Sequence, residues 1–94
     1  MKVLLRVGVQ DGTLCADPYT ARIVLDLAEI PLPGDLVGPI APVGPVKIID
    51  RRLIPIGQED YVAEVVAADV RCVPYLSKRE WPSITEALEG FGWI

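Results

Sequence analysis

Histidine is absent from this 94-residue chain, which leaves two cysteines, thirteen carboxylates and nine cationic side chains as its main chemical groups. Without an imidazole, the usual general base near neutral pH is missing, and with it Ser–His and Cys–His nucleophile pairs. Cys15 and Cys72 are far apart in sequence, so a zinc site would have to draw on carboxylates from several places. The carboxylates are scattered over turns and strand exteriors, with no spacing that singles out an acid/base pair. Neither G-x-G-x-x-G nor G-x-x-x-x-G-K-[ST] occurs. The expectation is a non-enzyme with no catalytic, cofactor-binding or metal residue and no cofactor. A cysteine-dependent enzyme using Cys15 or Cys72 is the last alternative; it predicts an unusually reactive thiol.

Two kinds of binding residue remain. Arg51 and Arg52, with Lys47 nearby and Arg71 on a neighbouring strand, form the best basic patch, and Tyr61 offers a ring on which a base would stack. Against this, Asp50, Glu64 and Asp69 are placed to pair with these cations across strands. The net charge of −4 also disfavours polyanions. The other candidates are apolar. Ile40, Pro42 and Val43 lie in a Pro-rich loop that either covers an open end of the fold or presents a preorganised surface. Trp81, Phe91 and Trp93 fall in an aromatic tail that either packs into the core or anchors a partner.

The elements that position these residues follow from periodicity. Val3, Leu5, Val7 and Val9 alternate with polar neighbours, predicting a strand over about 2–10, with Leu4 the exception. Ala21, Ile23, Leu25 and Leu27 predict a second over 20–28, antiparallel to the first. Residues 31–45 hold five prolines and three glycines and read as an apolar loop, with a short strand near Asp35–Val37. A third strand spans about 46–56, its phase broken by a bulge or bend at Asp50. Gly57–Asp60 then turns the chain into a strand over 61–73, whose buried face switches near Ala67 and Ala68. Ser83 and Glu86 form a capping box for a helix over about 83–89, ended by Gly90.

Together these predict one mostly-β domain over residues 1–94: a small antiparallel barrel or strongly bent sheet of five to six strands with one short C-terminal helix. The short strands, the Gly34-Asp35 turn into Leu36-Val37 and the bent long strand resemble the SH3-like small barrels over residues 20–73. That resemblance is one of fold and implies no activity.

The longest uncharged run, Leu36 to Val46, is too short and too Pro-rich to span a membrane, and Arg6 interrupts any signal-like stretch. A cytoplasmic location with reduced thiols is expected. Abundant proline and few amide side chains suit a thermophilic or GC-rich source. The functional expectation is a non-catalytic interaction or assembly module, a subunit or inhibitor of a larger complex, whose partner is a protein or a second copy. The alternative is a small-barrel nucleic-acid binder using Arg51 and Arg52.

Overall fold

The computed structural model describes residues 1–10, 19–40, 43–71 and 88–94. Five strands, β1 (Lys2–Gln10), β2 (Tyr19–Asp26), β3 (Leu36–Ile40), β4 (Gly44–Leu53) and β5 (Ala63–Arg71), form a strongly curled half-barrel, and residues 88–90 are helical. The mostly-β fold with one short C-terminal helix is therefore as expected. The strand order is β2-β1-β5-β4-β3. β1 with β2, β3 with β4 and β4 with β5 are antiparallel, but β1 and β5 run parallel, which corrects the wholly antiparallel expectation. The reason is one of parity. When five strands alternate in direction, the first and fifth point the same way, so curling the sheet until they meet gives a parallel seam.

The sheet opens between β2 and β3, where the proline-rich segment runs. Pro31 and Pro33 have no N–H to offer a ladder, so the chain crosses from one edge to the other without pairing as a strand. The loop expected over 31–45 is nevertheless shorter than its composition suggests, because it contains β3 and the first residues of β4. Asp35 fixes the crossing: its carboxylate accepts from the Leu32 N–H at 2.8 Å, and its carbonyl accepts from the Ile48 N–H at 2.9 Å. At Gly38 (φ +112°) an added Cβ would lie 2.8 Å from the Ile40 nitrogen, so only glycine fits there.

Both expected phase breaks coincide with register shifts. β4 slips against β5 between Ile48 and Asp50, and β1 against β5 between Val7 and Val9, opposite Ala67 and Val70. Each slip gives one strand an extra residue and deepens the curl. Strand ends differ from expectation by a few residues. β4 stops at Leu53, since Pro55 cannot donate to the ladder, and β2 stops at Asp26.

The core fills the concave face with Val3, Leu5, Val7, Val9, Ala21, Val46, Ile48, Ala63, Val65 and Ala67, joined by Val43, Leu88 and Trp93. The helical turn ends in a double hydrogen bond: the Trp93 N–H donates to the Leu88 carbonyl at 3.0 Å and the Gly92 N–H to the Glu89 carbonyl at 3.1 Å. This is a Schellman motif with its left-handed residue at Gly92 (φ +93°), rather than at Gly90 as expected. The capping residues Ser83 and Glu86 lie outside the described residues. Past the motif, Ile94 pairs with the edge of β2, exchanging two main-chain hydrogen bonds with Arg22 at 2.8 and 3.1 Å.

Candidate functional site

Of the polar candidates, Arg52 meets Glu64 on the outer face of β4 and β5, where Arg6 of β1 joins them. Glu64 stands opposite Arg52 in the β4–β5 ladder and opposite Leu4 in the β1–β5 ladder, which sets it beside Arg6. Its Oε1 forms an ion pair with Arg6 Nη2 at 2.6 Å, and its Oε2 accepts a hydrogen bond from Arg52 Nη2 at 3.0 Å. The Glu64 side chain is only 10% exposed, against 73% for that of Arg52. The carboxylate is the fixed centre, while water screens the Arg52 side of the pair and limits its contribution to stability.

Beside this triad is a hollow of about 260 Å³ lined by Arg6, Asp50, Arg51, Arg52, Glu64 and Val66. Past the β4 bulge Asp50 stands opposite Val66 on this face, whereas Arg51 stands opposite the core residue Val65; the Arg51 N–H donates to Asp50 Oδ1 at 2.8 Å. The Nε of Arg6 is shielded from solvent without a hydrogen-bond partner among the described residues, a state that costs about 1–3 kcal/mol. The expected cross-strand pairing thus holds for Arg52 and Glu64. Lys47 is exposed on β4, and the side chain of Arg71 lies outside the described residues. Arg6, which sequence reading did not single out, belongs to the same cluster.

The apolar candidates separate. Val43 and Trp93 are core residues and Ile40 packs against the core, so these three close the half-barrel rather than line its surface. Phe91 is exposed, and Pro42 and Trp81 lie outside the described residues, as do Cys15 and Cys72. Meanwhile an apolar end emerges elsewhere. Leu53 (59% exposed), Ile56 (106%) and Val62 (43%) crowd the β4–β5 connection, and the Val62 N–H donates to the Lys2 carbonyl, bringing exposed Met1 to the same end. A hollow of about 240 Å³ opens beside them, lined in part by Leu53, Ile54, Pro55 and Tyr61. The signal for this end was the run Leu53-Ile54-Pro55-Ile56-Gly57: an apolar stretch interrupted by Pro and ended by Gly leaves the ladder with its side chains unpaired.

The class defined by this fold is a small, open, mostly-β half-barrel. The chain matches no protein-family model, no curated protein and no solved structure.

Proposed function

We propose that this chain is a non-catalytic interaction or assembly module that meets a protein partner, or another copy of itself, through the end of the β4–β5 hairpin. The observation that carries the reading is the fully exposed Ile56 beside exposed Leu53 and Val62. Clustered exposed apolar side chains rimmed by polar ones, here Gln58, Glu59 and Asp60, mark interaction surfaces on soluble proteins. A subunit or inhibitor of a larger complex, working in the cytoplasm, fits this reading, and so does an SH3-like scaffold that lends its loops to recognition. No helix among the described residues is long and apolar enough to cross a membrane.

The test is Ile56→Asp combined with Leu53→Ser, read by sedimentation velocity over a concentration series and by crosslinking in the native source. The expected result is loss of the self-associated or crosslinked species with an unchanged melting curve. Identical mass distributions and crosslinks for wild type and variant would refute the reading.

A second reading, binding of single-stranded nucleic acid, draws on Arg51 and Lys47, neither of whose side chains is engaged in an ion pair among the described residues. Oligonucleotide binding that weakens steeply with added salt supports it, and absence of binding at low salt removes it.

A further inference from the structure

We infer that a second copy of this chain docks on the open edge of β4, strand against strand, with Leu53 of one copy opposite Leu53 of the other. This rests on the hairpin-end reading and names its partner. β3 covers β4 only as far as Ile48, which donates to the Asp35 carbonyl at 2.9 Å and accepts from the Gly34 N–H at 2.7 Å. Past that point the β3-side edge of β4 has no strand beside it among the described residues. Main-chain groups alternate between the two edges of a strand. The Ile54 N–H donates to the Val62 carbonyl on the β5 side, so Arg51 and Leu53 direct their N–H and C=O to the open edge.

That edge is limited on both sides of Leu53. The Arg51 N–H is taken by the Asp50 carboxylate at 2.8 Å, while Pro55 has no N–H and its carbonyl accepts from the Gln58 N–H at 3.2 Å. Of these three residues, only Leu53 offers both a free donor and a free acceptor among the described residues. An unrelated antiparallel strand would set a carbonyl against the occupied Arg51 amide and an N–H against the occupied Pro55 carbonyl. A second antiparallel copy matches these gaps: Arg51 faces Pro55 of the other copy, so no N–H is buried unpaired. Charge selects the same register. Centring on Leu53 sets Arg52 opposite Ile54 and Asp50 opposite Ile56, whereas centring on Arg51 or Arg52 sets two like charges opposite each other. Leu53 and Ile56, both exposed, lose water on pairing.

Sedimentation velocity over a concentration series compares wild type, Leu53→Pro and the doubly substituted hairpin-end variant. Wild type is expected to pass from one chain mass to two as concentration rises. Leu53→Pro removes the edge donor without touching the β5 ladder and should stay monomeric with an unchanged melting curve. Mild oxidation of Leu53→Cys should join two copies through position 53, seen by mass spectrometry of the linked peptide, because residues paired this way lie about 5.5 Å apart at Cα, within disulfide reach. Arg51→Cys should give no 51–51 link, since the register sets those positions roughly 13 Å apart along the strands. Should Leu53→Pro lower the melting temperature, the cysteine variants decide: a 53–53 link upholds the inference, and its absence overturns it. Association lost in Ile56→Asp with Leu53→Ser but kept in Leu53→Pro would overturn the edge pairing and leave the hairpin-end interface standing. A wild type that stays monomeric at every concentration overturns the second copy as partner, and crosslinks to another protein would then support the hairpin-end reading alone.

Discussion

Asp26 carries the clearest titration effect at the level of single residues. Its Oδ1 accepts from the Met1 ammonium at 2.9 Å, and that group also donates to the Leu27 carbonyl at 2.7 Å. The hydrogen bond, then the ammonium's charge, hold the carboxyl below its ordinary 3.8; a weaker desolvation opposes them, and Lys2 adds the smallest effect, again lowering it. Because the folded value lies below the unfolded one, the resulting stabilisation is complete above about pH 4 and fades as pH falls through the folded value. Acetylating the α-amino group should return Asp26 to its ordinary range, measured by the NMR titration of its side-chain carboxyl carbon. An unchanged titration would show that the ammonium is not the cause. The same scale shows what was legible in the chain. Glu64 with Arg52 was readable as a cross-strand pair because β4 and β5 are sequence neighbours joined by a recognisable turn. Arg6 was not, since its partner lies across a parallel seam that local pattern does not reveal.

Among elements, the two bulges were legible because an inserted residue flips the alternation of apolar side chains, and that flip is written in the sequence at Asp50 and at Ala67-Ala68. The helix end was harder to read. Gly90 and Gly92 are both credible terminators by composition, and the choice falls on Gly92 because Trp93 then follows at the position that folds back beside Leu88, burying both. Substituting each with alanine separates them. Gly92→Ala forces a side chain into the left-handed region and should cost about 1–2 kcal/mol. Gly90→Ala, in helical backbone, should be neutral or stabilise by up to about 1 kcal/mol. Urea unfolding of the two variants gives the comparison, and equal midpoints would place the left-handed cap elsewhere.

For the whole molecule, the open question in the sequence was whether the aromatic tail and the Pro-rich segment close the fold or face outward, and the structure divides both. Val43 and Trp93 go inside, while Phe91 and Leu36 stay at the surface. Composition could not decide this, because the parallel seam moves the opening of the sheet to the gap between β2 and β3, and the opening dictates what must be covered. Trp93 is the most telling member of the cover, being nearly fully buried and held by the Leu88 carbonyl, with Ile94 beyond it tied to the edge of β2. Truncating a buried tryptophan typically costs about 3–5 kcal/mol. Small domains have only about 5–15 kcal/mol in total. Trp93→Ala should therefore shift the urea midpoint strongly or unfold much of the population, whereas Phe91→Ala, at an exposed position, should shift it far less. Equal, small shifts for the two would mean that Trp93 is dispensable to the core, and the tail would then return to the surface as a candidate anchor.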